Sequence, residues 1–301
     1  ANRLSFYLLI FILGLFILEN LSRRKAQYHS LSKGGFKSKT LISLTGYKSF
    51  FAFLFCFFVF FISFLFPVLQ MLYWTIIFPK HFIDLNVAEL FSNTILLVFL
   101  SGCVLISLAF VSNYGNRVSK SNFLETLTTF SISGYAIPGI ILAVAFISFI
   151  SWFDNNIISS FGVGSIKSLF IGSIFGLVLV YFIRFYSLAC NGIKSGYLKI
   201  NYSIDESSYL LGNSKFKTFT NIHLPYLRNS IFLIGILIAI EVIKELPITL
   251  IMRPFNFETF ATTAYIYASQ DLLEAAAAPS LFLIAIASLF ILVTSRYILK
   301  D

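Results

Sequence analysis

Residues 203–225 read SIDESSYLLGNSKFKTFTNIHLP, the longest polar run in the second half of a chain that is otherwise mostly apolar. Ser203 and Glu206 have the spacing of a capping box, in which each side chain accepts a hydrogen bond from the other residue's backbone N–H. Gly212 provides a left-handed stop for that helix, and a second short amphipathic helix is expected to end before Pro225. The stretch is therefore predicted to form two short helices around a glycine bend, between two membrane spans.

The composition excludes an ordinary soluble domain. The mean hydropathy is +0.87, 58% of the residues are hydrophobic and only 12% are charged. A globular core cannot bury that much apolar surface, whereas a lipid bilayer can. The net charge of +9 is concentrated, because seven of the 22 Lys and Arg residues lie in residues 20–48, which contain no acidic residue. Membrane topology explains this basic segment better than nucleic-acid binding does.

Apolar runs separated by polar loops predict seven membrane crossings. The basic segment, loops 113–126 and 190–228 and the C-terminus are predicted to be cytoplasmic, because this assignment puts nearly all loop Lys and Arg on one side. The first run is shorter than the roughly 20 residues that a span needs. The predicted spans are 4–19, 50–77, 89–112, 127–152, 168–189, 229–252 and 280–299.

Three charged residues lie inside the predicted span 229–252. Glu241, Lys244 and Glu245 have the spacing of one helical face, so they are predicted to pair with one another and to turn away from lipid. Pro247 is expected to kink the helix beside them. Two interpretations stay open: this face lines or gates a translocation route, or it is a buried polar cluster that holds two halves of a transporter together.

A second proline interrupts the predicted span 127–152. Residues 133–139 read SGYAIPG, in which Pro138 removes a backbone hydrogen bond and the two glycines allow a neighbouring backbone to approach. We expect a locally distorted helix at this point.

The segment between the last two spans, residues 253–278, is predicted to lie outside. Asn256 has the position of a helix N-cap, and Asp271 with Glu274 has the spacing of a capping box before the last span. The segment either packs over the ends of the spans or offers a surface to an extracytoplasmic binding protein, and packing is the simpler interpretation.

The sequence contains no phosphate-binding or catalytic motif. GGFKSKT at 34–40 lacks the spacing of G-x-x-x-x-G-K-[ST], so the sequence does not predict ATP hydrolysis by that route. Cys56, Cys103 and Cys190 lie far apart in or beside apolar runs, and the three histidines have no ligand-like spacing. The sequence therefore predicts no cofactor, no metal site and no enzymatic activity of its own.

The polar loop also resembles a known motif. Residues 206–208, Gly212 and residues 222–225 are spaced like the EAA motif, EAA-x3-G-x9-I-x-L-P, of ABC importer permeases, with serine at both alanine positions. In that family the loop lies in the cytoplasm and docks on the ATP-hydrolysing subunit. The resemblance implies that Glu206 and Gly212 set the shape of the loop. The residues that it assigns to ATPase coupling are Glu206, Ser207, Ser208, Leu210, Gly212, Phe216, Phe219, Ile222, Leu224 and Pro225; Leu210, Phe216 and Phe219 are expected to dock.

A narrower resemblance covers residues 244–278, KELPITLIMRPFNFETFATTAYIYASQDLLEAAAA. This segment is similar to one in binding-protein-dependent ferric-iron importer permeases, as are SGYAIPG at 133–139 and PVLQMLYW at 67–74. With the loop, the match spans most of residues 50–299. Permeases for thiamine or phosphonates share parts of the pattern, so the substrate is less specific than the class.

The resemblance implies an all-α polytopic membrane protein with a six-span type I ABC importer permease core. The core occupies residues 49–301, after a transmembrane helix at 1–20 and a basic cytoplasmic linker at 21–48. In some families of this class one polypeptide carries two such halves, and we expect this chain to be the C-terminal half.

The implied function is ATP-driven import of ferric iron across a bacterial inner membrane. The implied partners are two ABC ATPase subunits that bind ATP and Mg, an extracytoplasmic binding protein, a second permease half, either in the same polypeptide or as a second copy, and the lipid membrane. No nucleic acid is expected. The residues assigned to a translocation path or gate are Pro138, Glu241, Lys244, Glu245 and Pro247. An alternative, an ion-gradient-driven secondary transporter with Glu241 and Glu245 as proton carriers, explains these charges but not the spacing of the loop.

Overall fold

Helices account for all the regular secondary structure in the described part of the chain. The structure is a computed structural model, and none of its described residues lies in a β-strand. The described residues are 10, 14, 44–119, 121–158 and 166–298. The chain divides into two units, Ala1–Pro79 and Lys80–Asp301. Apart from residues 10 and 14, the predicted span 4–19 lies outside the described residues, and so do residues 20–43 of the basic segment.

Six of the described helices are long and apolar enough to cross a membrane, namely α1, α3, α5, α7, α9 and α12. The predicted all-α polytopic membrane protein is therefore confirmed. In chain order the helices are α1 Tyr47–Ile77, α2 Pro79–Ile83, α3 Val87–Ser119, α4 Asn122–Ile132, α5 Gly139–Ile158, α6 Lys167–Phe170, α7 Ile174–Tyr197, α8 Tyr202–Leu210, α9 Lys215–Ile243, α10 Pro247–Met252, α11 Phe260–Ser269 and α12 Leu273–Ile298.

In the first unit, α1 runs through Pro67 without a break. A π turn at Phe61–Leu65 directly precedes the short stretch that contains this proline. The wider turn accommodates a ring that has no N–H to donate and that would clash with a regular helical turn. The predicted span 50–77 is confirmed.

In the second unit, α7 is the central helix, and α3 and α9 pack against it. A side chain at Gly192 or Gly196 would collide with Ile234 or Leu227 of α9. These glycines therefore let two helices approach closely, as small residues do in membrane bundles. The largest fully buried side chains of the second unit include Tyr181, Phe185, Phe260, Leu97, Leu105 and Ile193.

The predicted span 127–152 is wrong as a single helix, because the chain breaks at Pro138. α4 ends before a 3-10 turn at Ser133–Ala136, and α5 begins after the proline. Gly134 lies so close to the carbonyl of Ile183 in α7 that no side chain would fit. The expected close backbone approach is confirmed, but the distortion is a full interruption of the helix.

The predicted span 229–252 is also wrong as a single helix. α9 ends at Ile243 and α10 begins at Pro247. Between them, residue 244 forms a turn and residues 245–246 have no regular secondary structure. Proline fits the first position of a helix because that residue's N–H would have no intrahelical partner. The expected kink is thus a break, and it falls at the charged residues.

Two other predicted spans of the second unit coincide with single helices. Residues 89–112 and 280–299 correspond to α3 and α12, apart from residue 299, which lies outside the described part. Span 168–189 overlaps α7, which begins only at Ile174 after a separate short helix, α6.

The loops of the second unit gather at two opposite ends of the helices. Loops 113–126 and 190–228 meet through Arg117 and Asp205. At the other end, Leu85, Leu90, Phe260 and Ala278 share a small apolar cluster. Loops that the sequence predicts on one side of the membrane therefore lie at the same end of the helices. The cytoplasmic placement of either end stays a prediction.

Residues 253–278, which we call the outer segment after their predicted location, use other helix caps than the predicted ones. α11 is capped by Thr259, which forms a capping box with Thr262. Asn256 instead has a left-handed φ of 57° within the preceding turn. Asp271 also has a left-handed φ, 59°, and lies outside the first turn of α12, so the predicted capping box with Glu274 is wrong.

The outer segment packs onto the helix ends. Phe257 and Phe260 are buried, and the Asn93 side chain of α3 donates to the carbonyl of Glu258 at 3.0 Å. Glu258 also forms an ion pair with Arg253. These contacts support the packing interpretation of this segment.

Candidate functional site

The first helix of the polar loop, α8, begins two residues earlier than the sequence predicts. Asn201 is the N-cap, and its side-chain oxygen accepts from the backbone N–H of Ser203 at 3.3 Å. Ser203 is therefore already inside the helix, and the predicted capping box of Ser203 with Glu206 is wrong. The carboxylate of Glu206 is left exposed on the surface of the loop.

The glycine bend is confirmed. Gly212 has a left-handed φ of 80°. Its N–H donates to the carbonyl of Tyr209 at 3.0 Å, and the N–H of Asn213 donates to the carbonyl of Ser208 at 3.2 Å. This pair of bonds is the Schellman motif, which satisfies the last carbonyls of a helix.

The second helix does not end at Pro225. Helix α9 begins at Lys215 and continues into the membrane segment through a π turn at Phe219–His223. As in α1, the π turn stands directly before the proline, where a regular helical bond would be lost. A single helix, α9, therefore runs without interruption from the polar loop into a membrane span.

A buried charge cluster joins the loop to α3. The Arg117 Nε donates to Asp205 Oδ2 at 2.6 Å, and the side chains of both residues are about nine-tenths buried, at 7% and 11% exposed. The Arg117 Nη2 also donates to the carbonyls of Ile200 and Asn201, each at 3.1 Å. We call Arg117, Asp205 and His223 the clamp.

His223 completes the clamp from the π turn of α9. Its Nε2 lies 2.8 Å from Asp205 Oδ1, although the angles of this contact fall outside those of a hydrogen bond. The imidazole is fully buried, with the rings of Tyr114 and Tyr197 at 5.3 and 5.4 Å. The clamp thus connects α3, α8 and α9 at one point.

Phe219 is half-buried, and its ring packs against the core rather than projecting from the loop. Its ring centroid is 4.9 Å from that of Tyr114 and 5.7 Å from that of Phe110. Of the three side chains expected to dock, this one packs against α3 instead.

Hydrogen bonds also connect the two arms of the loop. The hydroxyl of Ser208 lies 2.9 Å from that of Thr218 and accepts from the Asn213 side chain at 3.2 Å. Tyr114 of α3 donates to the carbonyl of Lys215. The loop is therefore fixed internally as well as at its base.

The tip of this fixed loop is apolar and exposed. Leu210, Leu211 and Phe216 are 89%, 82% and 75% exposed. Among the other residues assigned to coupling, Ser207, Leu224 and Pro225 are exposed, Ile222 is half-buried and Ser208 is buried.

A second buried ion pair joins the two helix breaks. The Arg184 Nε of α7 lies 3.4 Å from Glu245 Oε2, with the side chains 22% and 7% exposed. The Arg184 Nη1 donates to the carbonyl of Ile137 at 3.3 Å, and Glu245 Oε1 accepts from the N–H of Ile248 at 3.3 Å. We call the Arg184–Glu245 pair the latch.

The predicted grouping of three charges on one helical face is only partly correct. Glu241 and Lys244 do form an ion pair, 2.7 Å between Oε1 and Nζ. Glu245 turns away from them to Arg184, because the break after Ile243 changes the direction of the chain.

A cleft of about 720 Å³ opens on the loop side, between α4 and the ends of α3 and α7. The hydroxyl of Tyr197, on its wall, has no hydrogen-bond partner among the described residues. The other polar residues that line it include Asn113, Asn116, Glu125, Thr128 and Lys194.

Sequence reasoning missed Arg117, Asp205 and Arg184. A signal existed for Arg184, since it is a lone charge inside the apolar run 168–189. No local signal pairs Arg117 with Asp205, because they lie 88 residues apart. Across the described residues, no group of three His, Cys, Asp or Glu side chains is arranged to hold a metal ion.

Comparison with known proteins gives distant similarity over most of the chain. No protein-family model matches it. The chain is 20% identical over 280 residues to the Fe(3+)-transport system permease protein FbpB 2 of Haemophilus influenzae, and this match covers 92% of the chain and 53% of that protein. The chain thus spans about half the length of this curated relative.

Two solved structures have the same fold. One is a bacterial alginate ABC transporter in complex with an alginate pentasaccharide-bound periplasmic protein, with a TM-score of 0.66. The other is a bacterial ABC transporter involved in the import of the acidic polysaccharide alginate, with a TM-score of 0.63. Each match is 18% identical and covers 82% of this chain, and 93% and 94% of the respective solved chain. The chain therefore has the fold of an ABC importer permease.

Proposed function

We propose that this chain is the transmembrane permease subunit of an ATP-driven ABC importer in a bacterial inner membrane. The observation that carries the proposal is the loop at 203–225, which is fixed at its base and presents an apolar tip. A tip formed by Leu210, Leu211 and Phe216 costs free energy in water. A surface of this kind is typical of a docking site on another protein.

The loop is suited to transmit force. The clamp fixes α8 and α9 against α3, and α9 continues directly from the loop into the membrane. Movement of the tip therefore displaces a membrane helix as a lever would, and rigid-body tilting of such helices alternates access to a route between them.

The energy source lies in other subunits. The sequence has no G-x-x-x-x-G-K-[ST] motif, so two ATPase subunits with bound ATP and Mg would supply it. In this proposal the loop and the C-terminus are cytoplasmic, and Glu206 and Ser207 lie on the exposed surface that the ATPase meets.

A second permease half is the partner expected within the membrane. The Glu241–Lys244 pair lies on the surface of the second unit, with the Lys244 side chain 55% exposed. Charged groups facing lipid at membrane depth are costly, so this surface requires protein or water beside it. A second half would supply both, and an extracytoplasmic binding protein would deliver substrate from the opposite end.

The translocation route would pass the two helix breaks. Pro138 and residues 244–247 interrupt helices that otherwise span the bilayer, and irregular backbone at that depth is stable only where it is buried in protein or lines a polar cavity. Glu241, Lys244, Glu245, Pro138 and Pro247 are the residues that we assign to this route or its gate.

We infer ferric iron as the substrate. Two observations support it: the similarity to a ferric-iron transport permease and the likeness of residues 244–278 to ferric-iron permeases. The described residues form no cluster suited to hold a metal ion, so the ion would pass without being held, which favours release. Uptake of ferric ion, thiamine and a phosphonate into proteoliposomes containing the full importer tests this choice, since only the true substrate should accumulate with ATP.

The coupling role is tested by Gly212→Asp. The aspartate is strained by the left-handed φ and adds charge beside the apolar tip, so we expect ATP hydrolysis without uptake, at normal membrane insertion. Gly172→Asp is the matched control. Gly172 also has a positive φ, 68°, and an added side-chain carbon would meet nothing within 4 Å, but this glycine lies at the other end of α7. Unchanged uptake in Gly212→Asp would overturn the proposed coupling.

A further inference from the structure

We propose that Arg184 is a positioning residue of the gate. Its ion pair with Glu245 is a latch that holds the two helix breaks together and opens during each transport cycle. This inference rests on the proposed function and adds to it a residue and an interaction that the sequence motifs do not contain.

Each half of the latch also satisfies a backbone group released by a break. Arg184 Nη1 donates to the carbonyl of Ile137, next to Pro138. Glu245 Oε1 accepts from the N–H of Ile248 in the first turn of α10, where helical N–H groups have no partner of their own. Backbone groups at such interruptions need partners within a bilayer. The latch therefore supports both breaks as well as linking them.

The latch is loosely bonded for a buried ion pair. Its direct contact is 3.4 Å and its two backbone contacts are 3.3 Å, whereas charge-assisted hydrogen bonds are usually about 2.7–2.9 Å. The Arg184 Nε donates no hydrogen bond to any described residue. A buried pair with incomplete bonding contributes little net stability, so it can separate at small cost once the separated charges reach water or another polar partner.

The latch lies directly against a glycine. A side-chain carbon added at Gly139 would lie 2.7 Å from Arg184 Nη1 and 2.9 Å from Glu245 Oε1. Both distances are below those of normal contacts, so alanine at this position would displace the ends of both charged side chains. The start of α5 is thus fitted to the closed latch.

Opening the latch would release three elements together. α5 follows the first break, α10 follows the second and α7 carries Arg184, and the three pack against one another. Separation of the pair lets α5 and α10 move relative to α7, while a closed pair fixes them. A two-state contact of this kind can be biased by movement of the loop or by arrival of substrate.

The test uses the complete importer in proteoliposomes, with ferric ion as the probe, and measures ions imported per ATP hydrolysed. Arg184→Gln removes the charge, and Gly139→Ala displaces the ends of both side chains with both charges kept. We expect each to lower the ratio at least tenfold while ATP hydrolysis continues. Gly102→Ala is the control and should be unchanged, since nothing lies within 4 Å of that position.

A double variant separates a gate from a structural support. Arg184→Gln with Glu245→Gln leaves two neutral amides that can still bond each other. If the Arg184→Gln variant assembles poorly in the membrane, we expect the double variant to restore assembly. The number of ions imported per ATP should nevertheless stay at least tenfold below that of the wild type. Restoration of both assembly and the ratio, or a normal ratio in Gly139→Ala, would overturn the latch.

The wild-type importer distinguishes the two levels of the proposal. If it hydrolyses ATP and imports ferric ion but the latch variants do so equally well, the latch is wrong and the proposed function stands. If wild type imports nothing with ATP, the proposed function fails and the latch fails with it.

Discussion

Arg117 and Arg184 both meet a carboxylate inside the second unit, but their surroundings differ. Arg117 lies 2.6 Å from Asp205 and donates to two backbone carbonyls as well. Arg184 lies 3.4 Å from Glu245 and its Nε has no hydrogen-bond partner among the described residues. Arg117 is thus fully bonded and Arg184 only partly, a difference that fits the proposed roles of a joint that stays closed and a gate that opens.

The largest effect is expected at the clamp. Arg117→Ala removes three hydrogen bonds and leaves the Asp205 carboxylate buried without its main partner, so we expect the chain to lose about 3–5 kcal/mol of stability. Unfolding of the purified chain in detergent mixtures measures this loss.

Arg228→Ala is the matched control for the clamp variant, since Arg228 lies exposed on α9. A loss below about 1 kcal/mol in Arg117→Ala, within the range of exposed ion pairs, would remove the difference between clamp and latch.

The next largest effect distinguishes a side chain at the base of the loop from one at its tip. Phe219→Ala should cost about 2–3 kcal/mol of stability, because it leaves a space beside Phe110 and Tyr114. Phe216→Ala should leave the stability of the chain unchanged, since its side chain is exposed, but should weaken binding of the ATPase subunit on the order of tenfold.

Unfolding in detergent and titration of the ATPase subunit measure the two losses for both variants. If Phe216→Ala unfolds the chain, or if Phe219→Ala impairs only ATPase binding, the assignment of inner and outer faces is wrong.

A smaller effect is expected when the latch is neutralised. The double variant Arg184→Gln with Glu245→Gln should change the stability of the isolated chain by no more than about 1 kcal/mol, because desolvation offsets most of the attraction in a buried pair. The same unfolding assay measures it. A loss as large as that of Arg117→Ala would mean that the latch is a structural support.

The smallest effect is expected at the ion pair between Glu241 and Lys244. Lys244→Ala should cost the isolated chain about 0.5 kcal/mol or less, as exposed pairs do. In the assembled importer the loss should be larger, if a second permease half covers this surface. Thermal melting of the chain alone and of the complex measures the two losses of stability. Equal shifts in melting temperature would argue against a second permease half on this surface.

Local structure was predictable where a residue type dictates backbone geometry. Gly212 fixed the bend because a left-handed residue strongly favours glycine. The N-caps were not predictable with the same success. Asn201 and Ser203 are both good caps two residues apart, and Asn256 and Thr259 are both good caps three residues apart.

The long-range part of the site was not predictable from one sequence. The break in 229–252 was hidden because a mostly apolar run of this length predicts one span whether or not its backbone is interrupted. Pro247 and Pro138 marked both breaks, but a proline distorts some membrane helices and interrupts others. In α1 and α9, the prolines follow a π turn and the helix continues. At Pro138 the broken backbone is bonded by Arg184, which lies 47 residues away from Ile137 in the sequence.

The π turn at Phe219–His223 sets the angular phase between the loop and the span that follows it. A π turn contains one residue more than an α-helical turn, and each helical residue corresponds to about 100° of rotation. Removing that single residue would swing the tip of the loop to another side of the membrane helix. In the proposed importer, the direction from which the ATPase pushes is therefore set by a count of residues as much as by their chemistry.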